Sequence, residues 1–134
     1  MTQDLATESL AERMPFSKLM GVKVVEAGPD KVVATLEVRA DLCTAGHILH
    51  GGAVMAFADA LGALGTVLSM PKEAKGTTTI ESKTNFLGAA KEGTTVTGTA
   101  TPIHLGGRTS VWQTRITRED GKNVALVTQT QLIL

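Results

Sequence analysis

A single carboxylate lies inside the longest apolar stretch of the chain. Asp59 is the only charged residue in the run GGAVMAFADALGALGTVLS, from Gly51 to Ser69. An unpaired carboxylate is costly to bury, so an aspartate in such a stretch must be paired, protonated or used in chemistry. Two hypotheses follow: Asp59 is a catalytic carboxylate, or it is hydrogen-bonded to a neighbouring backbone or across an oligomer interface.

Two consecutive glycines begin the same stretch, directly after His50. The first N–H groups of a helix have no partner inside the helix, and glycines there let a ligand approach the backbone. Together with the positive end of the helix dipole, these groups favour an oxyanion or a polarised carbonyl. Gly51 and Gly52 are therefore candidates for such a site, against the simpler interpretation of a glycine-rich helix start. His50 is expected to be a structural hydrogen-bonding residue rather than a general base.

Gly51 and Asp59 are too far apart to serve one reacting carbon from the same helix. They are separated by about 12 Å along a helix axis, whereas a reacting atom must lie roughly 3 Å from each group. Two helices packed antiparallel across a two-fold axis would bring Gly51 of one copy to Asp59 of the other. The small residues Gly62, Ala63 and Gly65 would permit close approach of a substrate or of a partner backbone. If the site exists, the active unit is a dimer.

The apolar stretch predicts one long buried helix, and most of the remaining chain predicts strands. A short helix is expected over Thr7–Lys18, with Thr7 as its N-cap. Alternating hydrophobicity and turn signals predict six strands: Gly21–Glu26, Val32–Ala40, Thr77–Leu87, Gly93–Pro102, Arg108–Arg118 and Asn123–Leu134. Short connections predict that the last four form an antiparallel meander. The expected architecture is one α+β domain over residues 1–134, a curved six-stranded antiparallel sheet wrapped around the long helix.

The composition excludes several classes of function. Thirteen Lys and Arg balance thirteen Asp and Glu, so a nucleic-acid or anionic-membrane partner is not expected. Aromatic residues make up 3% of the chain, too few for a base-stacking platform. Cys43 is the only cysteine, so neither an intramolecular disulfide nor a cysteine-based metal site can form within one chain. We expect an unreactive, partly buried thiol, and no metal or cofactor.

A membrane span is the main alternative for the stretch from Gly51 to Ser69, because its length approaches that of a transmembrane helix. Asp59 at its centre opposes insertion by about 2.5–3.5 kcal/mol, and its glycines supply little apolar side-chain area. The strand-rich flanks also favour a soluble domain. Residues 1–16 lack the apolar core of a signal peptide, so a cytoplasmic location is expected.

The order of these motifs resembles a known family. His50-Gly51-Gly52, an apolar helix with an acid seven residues after Gly52, and a following Thr-rich strand are similar to the hotdog-fold acyl-CoA thioesterases of the phenylacetate-degradation (PaaI-like) type. The resemblance covers nearly the whole chain and implies hydrolysis of an acyl-CoA with a small-to-medium or aryl acyl group. It implies that the Gly51 N–H polarises the thioester carbonyl, and that Asp59 acts as nucleophile or as general base on water.

The resemblance also implies roles for residues outside this helix. Thr79 matches a Ser or Thr that holds the water or the carboxylate, and Thr44 lies where the family often has Asn or Gln assisting the carbonyl. His47 occupies a position that is commonly Gly, where it would narrow the acyl entrance. Gly106-Gly107-Arg108 resembles a stretch that meets the pantetheine or nucleotide of coenzyme A, and an ordinary hairpin turn with a solvated arginine is an equal interpretation. The expected substrate-binding residues are His47, His50, Gly52, Gly107 and Arg108.

We expect a homodimer with its sites at the interface, and pairing of such dimers into a tetramer. Coenzyme A enters as part of the substrate. Two alternatives remain open: a non-catalytic acyl-CoA-binding protein of the same fold, and a 3-hydroxyacyl thioester dehydratase. The dehydratase needs a paired histidine and acid, for which His50 with Asp59 is a poor substitute, while His104 lies in a predicted hairpin.

Overall fold

The computed structural model describes residues 13–134, which fold into two α-helices and one six-stranded sheet. The helices are α1 (Pro15–Met20) and α2 (Gly51–Ser69), with a short 3-10 turn at Ala40–Leu42. The strands are β1 (Lys23–Gly28), β2 (Lys31–Glu37), β3 (Thr77–Phe86), β4 (Thr95–Leu105), β5 (Thr109–Thr117) and β6 (Asn123–Ile133). Within the described range, the predicted α+β architecture of one long helix and six antiparallel strands is confirmed.

The N-terminal helix differs from its prediction. Thr7 lies outside the described residues, and in the described part α1 begins at Pro15 instead of continuing through Arg13 and Met14. A proline disfavours helical backbone in the residue before it, and Met14 is accordingly extended, with φ −112° and ψ 94°. Pro15 itself suits the first helical turn, where an N–H has no intrahelical partner. The helix ends at Gly21, whose φ of 87° forms a left-handed C-cap.

The sheet order is β1-β2-β4-β5-β6-β3, so the predicted meander is correct for three of its four strands and wrong for β3. β3 pairs with β6 at the far edge, and β4 pairs with β2. The connection 87–94 between β3 and β4 is short, and for this reason the sequence predicts that the two strands are neighbours. Eight extended residues nevertheless reach roughly 26 Å, more than the roughly 14 Å across three strand spacings. The chain can therefore cross β6 and β5 within a connection of hairpin length.

The alternation predicted for the strands is confirmed where they face α2. In β2 the side chains of Val32, Ala34 and Leu36 are fully buried. In β4 the threonines alternate with residues such as Val96 and Ala100, which are fully buried on the opposite face. Small and branched side chains thus form the face of the sheet against which α2 packs.

Two glycines of α2 allow the helix to lie close to the sheet. A Cβ at Gly65 would come within 2.5 Å of the Trp112 ring, and one at Gly62 would collide with the side-chain amide of Gln129. The expectation that these glycines face a substrate or a partner backbone was therefore wrong, because both face the sheet of their own chain. Ala63, the third small residue, is only half-buried.

One stripe of α2 is not covered by the described residues of the chain. Met55 is 41% exposed and Val67 is 46% exposed, and Asp59 and Ala63 between them are half-buried. Positions four apart share a helix face, so these residues form a continuous stripe. The composition of the helix indicated burial on every side. Within the described part of one chain this stripe is instead left open. By length and composition α2 could span a membrane, but half of its most apolar 18-residue window is buried inside the fold.

Candidate active site

The carboxylate of Asp59 is contacted by side chains from β3 and β6. Thr79 of β3 donates its hydroxyl proton to Asp59 Oδ1 over 2.6 Å. Gln129 of β6 donates from Nε2 to the same oxygen at 3.2 Å and lies 3.4 Å from the carbonyl oxygen of Asp59. Both donors meet Oδ1, and Oδ2 accepts no hydrogen bond from residues 13–134. The structure thus brings together Asp59 and Thr79, two of the residues that the resemblance singles out.

Two buried glutamines extend this network, and the sequence analysis did not identify them. Gln131 Nε2 donates to Thr79 Oγ1 over 2.5 Å, and the Thr77 hydroxyl lies 2.9 Å from Gln131 Oε1. Both Gln129 and Gln131 are fully buried. A signal for them was present, because they fall in phase with the buried Ala125 on the inward face of β6. Amides within an apolar alternation need partners inside the fold.

His50 caps the N-terminus of α2. Its Nδ1 accepts a hydrogen bond from the Gly52 N–H at 2.8 Å, and its carbonyl oxygen accepts from the N–H groups of Ala53 and Val54 at 2.9 and 3.1 Å. This is the structural hydrogen-bonding role expected for His50. Within the described part of the chain, the Gly51 N–H is then the one donor of the first helical turn without a partner.

The ring of Phe86, the last residue of β3, lies against Gly51. A Cβ at Gly51 would lie 3.2 Å from Phe86 Cε1, so glycine at this position lets the ring approach the helix N-terminus. Phe86 is 57% exposed. A partly exposed aromatic ring therefore lies beside the N-terminus of α2.

The structure does not bring Gly51 and Asp59 together within one chain. Both belong to α2, and the axial separation of about 12 Å remains. β3 runs alongside the helix and contacts both positions, with Thr79 at Asp59 and Phe86 at Gly51. A register shift between Thr79 and Glu81 inserts one extra residue into β3 between these two contacts.

Thr44 and His47 belong to a tight turn before α2. Thr44 Oγ1 accepts a hydrogen bond from the Gly46 N–H at 3.2 Å, so its oxygen is engaged locally as an acceptor. His47 has a φ of 61°, in the left-handed region that glycine adopts most easily. A glycine, which the resemblance implies at this position, would adopt this conformation without strain. The side chain of His47 is 81% exposed and its Nδ1 lies 3.1 Å from Glu92 Oε1, so in one chain it faces solvent.

The tip of the β4–β5 hairpin carries Gly107 and Arg108, both exposed. Shortly after the tip, Ser110 pairs with Gln131, which is the glutamine beside Thr79. The tip therefore lies at the end of the sheet that holds the carboxylate network, and not at the N-terminal end of α2.

Cys43 is a partly buried thiol, as expected. Its Sγ lies 3.3 Å from the carbonyl oxygen of Arg39, to which it donates. Burial raises the pKa of the Cys43 thiol, and the nearby carboxylates of Glu92 and Asp41 raise it further. A raised pKa reduces the thiolate fraction, so this cysteine is a poor nucleophile. Among residues 13–134, no three His, Cys, Asp or Glu side chains are grouped to hold a metal ion.

A groove of about 370 Å³ opens beside the N-terminus of α2. Its apolar lining includes Phe16, Leu19 and Met20 of α1, and His50 and Gly52 stand at its helix end. Small-molecule sites are typically about 300–1,000 Å³ and mostly apolar, with a few polar groups that orient the ligand. The groove has this size and this composition.

The sequence and the fold both match known proteins. The family model described as the thioesterase superfamily matches residues 46–125, which is more than half of the chain. The chain belongs to the thioesterase superfamily. The helix wrapped by an antiparallel sheet is the hotdog fold of this family, so the predicted family and fold are both confirmed.

Several proteins are similar to this thioesterase over most of their length. The 1,4-dihydroxy-2-naphthoyl-CoA hydrolase of Listeria monocytogenes is 33% identical, over 81% of this chain and 87% of its own. A solved mutant thioesterase from Pseudomonas aeruginosa superposes with a TM-score of 0.89 at 25% identity, over 96% of this chain and 93% of its own. A mutant of the phenylacetic acid degradation protein PaaI from Thermus thermophilus gives 0.82 at 30% identity, over 90% and 100%. The predicted thioester hydrolase activity is confirmed.

Proposed function

We propose that this thioesterase hydrolyses an acyl-CoA with an aryl or small-to-medium acyl group to the free acid and CoA. The observation that carries the proposal is the carboxylate of Asp59, which is anchored at Oδ1 by Thr79 and Gln129 while Oδ2 is left for the reaction. The name of the Listeria monocytogenes relative, a hydrolase of an aryl acyl-CoA, supports this substrate class. Coenzyme A is part of the substrate, and the proposed chemistry uses no separate cofactor.

Asp59 acts in one of two ways. As general base it removes a proton from water, whose oxygen then bonds to the carbonyl carbon while the C–S bond breaks. As nucleophile it bonds to that carbon itself, and water hydrolyses the resulting acyl anhydride in a second step. In both routes the CoA thiolate leaves and takes a proton. The Gly51 N–H, at the positive end of the α2 dipole, stabilises the charge that develops on the carbonyl oxygen.

The proposed site needs two copies of the chain, because one reacting carbon cannot reach Gly51 and Asp59 of the same helix. Two features support packing of two α2 helices side by side. The stripe from Met55 to Val67 is uncovered, and β3 is an edge strand that carries the 56% exposed Ile80. An open apolar stripe beside a free strand edge is the kind of surface that a second copy covers.

The acyl group is proposed to lie at the N-terminus of α2, in the groove beside α1 and against the Phe86 ring. The apolar lining and the volume of about 370 Å³ support an aryl or medium-length group. An aromatic ring also offers favourable stacking to an aryl substrate. His50 contributes by engaging the Gly52 N–H, which leaves the Gly51 N–H for the thioester carbonyl.

The polar remainder of the substrate is assigned to residues near the site entrance. Arg108 and Gly107 lie at the Asp59 end of the sheet, where the guanidinium offers a cation for a CoA phosphate. Thr44 accepts from Gly46, so its own proton remains available to assist the carbonyl. His47 narrows the entrance, since it places a side chain where glycine has none.

The proposal is tested by thiol release from short, medium, long and aryl acyl-CoAs. We expect release from the aryl or small-to-medium substrates, and its loss in Asp59→Ala. Asp30→Ala, a change of an exposed aspartate in the β1–β2 turn, is the matched control and should behave as wild type. Tight acyl-CoA binding without thiol release across the panel would contradict the proposal and favour the non-catalytic alternative. Hydration of crotonyl-CoA without thiol release would favour the dehydratase.

A further inference from the structure

We propose that Gln129 and Gln131 are positioning residues for Asp59, an inference that rests on the proposed function. Both are fully buried on the inward face of β6, so neither touches the substrate. They determine which oxygen of Asp59 is engaged and in which direction Thr79 donates. No catalytic role is assigned to either glutamine.

Gln129 holds both the side chain and the backbone of Asp59. Its Nε2 lies 3.2 Å from Asp59 Oδ1 and 3.4 Å from the carbonyl oxygen of the same residue. The amide reaches Asp59 from the sheet because Gly62 has no side chain, and any Cβ there would collide with it. The reverse amide orientation would turn Oε1 toward the carboxylate, where two acceptors repel. The helix and the carboxylate are therefore held by one side chain in one orientation.

Gln131 sets the direction of the hydrogen bond from Thr79. A hydroxyl has a single proton, and Gln131 Nε2 already donates to Thr79 Oγ1. The Thr79 proton is consequently left for Asp59 Oδ1. The Thr77 hydroxyl lies 2.9 Å from Gln131 Oε1 and equally 2.9 Å from the Leu132 carbonyl oxygen, so its single proton is shared between these two acceptors. Donation runs in one direction, from Gln131 through Thr79 to Asp59.

The combined result is that Oδ1 receives two donors and Oδ2 is presented to the substrate. Hydrogen bonds to a carboxylate are charge-assisted and directional, so they resist rotation of the group. Loss of either donor frees the carboxylate to turn, and fewer molecules then hold Oδ2 in a reactive geometry. The effect falls on the chemical step rather than on substrate binding.

The first experiment replaces each amide by a side chain of similar shape. We expect Gln129→Met and Gln131→Met to lower kcat about tenfold to a hundredfold, with KM within about twofold of wild type. The matched control is Gln113→Met, because Gln113 bonds Thr128 at 3.5 Å on the opposite face of the sheet.

A double-mutant cycle separates positioning from a general effect on the fold. Because Gln131 acts through Thr79, Gln131→Met should lower kcat no further in a Thr79→Val background, whereas Gln129→Met should still lower it. Wild-type kcat in the single variants would overturn the inference. The inference would also be overturned if the glutamine variants raised KM as much as they lowered kcat, and if the effect of Gln131→Met simply added to that of Thr79→Val. Full activity of Asp59→Ala would instead contradict the proposed function, so the two failures are distinguishable.

Discussion

Thr79 donates its hydroxyl proton to Oδ1 of Asp59 across 2.6 Å, and this bond joins the edge strand β3 to the middle of α2. A short bond to a carboxylate oxygen is the charge-assisted kind, which is stronger and more directional than a neutral one. The hydroxyl, and not the methyl group, is therefore the part of Thr79 that matters to Asp59.

Thr79→Val keeps the shape of the side chain and removes the hydroxyl. We expect kcat to fall about tenfold to a hundredfold, because a buried donor to a charged group is lost. Thr79→Ser keeps the hydroxyl and should retain most of the activity. Steady-state kinetics of thiol release on the best acyl-CoA measure both variants, and equal activity of Val and wild type would contradict the role.

The Gly51 N–H can be removed without breaking the helix. Proline is favoured at the first helical position, and His50, with φ −64° and ψ 138°, already has the extended backbone that precedes a proline. Gly51→Pro is expected to lower kcat about a hundredfold to a thousandfold, as loss of an oxyanion donor does. Gly51→Ala keeps the N–H and adds a Cβ beside the same Phe86 ring, so it controls for bulk. Similar losses in both variants would assign the effect to bulk.

A site shared between two copies predicts complementation between inactive variants. Asp59→Ala and Gly51→Pro are each expected to be inactive, since every site in either homodimer lacks one group. In a mixed dimer, one of the two sites receives an intact Asp59 and an intact Gly51. Equal amounts unfolded and refolded together should recover about a quarter of wild-type activity, because about half of the dimers are mixed. No recovery, with mixed dimers detected by mass spectrometry, would exclude the shared site.

His47 is expected to destabilise the turn before α2. A side chain in the left-handed region costs about 1 kcal/mol relative to glycine. His47→Gly should therefore have a free energy of unfolding about 1 kcal/mol above that of His47→Ala. Both variants lose the exposed contact with Glu92, so that contact cancels in the comparison. Urea denaturation measures the difference, and equal stability of the two variants would argue against strain at this position.

The β5–β6 turn predicts a pH-dependent contribution to stability. The Arg118 guanidinium, with a 2.6 Å contact, lowers the pKa of Asp120 to about 2, and the Lys122 N–H adds to the effect. The unfolded value is about 3.9, so the stabilisation is complete above that pH and is lost as the pH falls toward the folded value. Asp120→Asn should reduce the free energy of unfolding near neutral pH and converge on wild type only as the pH falls through about 2. Denaturation across this range checks the trend, and a difference independent of pH would contradict it.

Local patterns predicted most of the fold, and tertiary pairing accounts for what they missed. The alternation in β2 and the charge inside α2 are properties of consecutive residues, so they could be recognised in the sequence. The neighbour of β3 is decided by a long-range pairing with β6, about which the length of the connection 87–94 says little. Likewise, the side of α2 that carries Gly62 and Gly65 is decided by packing against Gln129 and Trp112, which are distant in sequence.

The candidate site shows the same division. Asp59 and the glycines at the start of α2 were identified because their types are unusual in an apolar helix. Gln129 and Gln131 were missed because glutamine in a Thr-rich strand is ordinary until the strand's inward face is known. The role of a buried amide depends on the atom that it contacts. For Gln129 that atom belongs to Asp59, which lies 70 positions earlier in the sequence.

The extra residue in β3 has a consequence for how this chain tolerates change. Side chains of a strand alternate between faces, so positions seven apart, such as Thr79 and Phe86, would normally point in opposite directions. The bulge between Thr79 and Glu81 reverses that alternation once, and both side chains reach α2. Substitution of Phe86 therefore leaves the contact between Thr79 and Asp59 in place. Deletion of Ile80 would instead turn either Thr79 or Phe86 away from the helix. This segment of β3 therefore tolerates substitutions more easily than insertions or deletions.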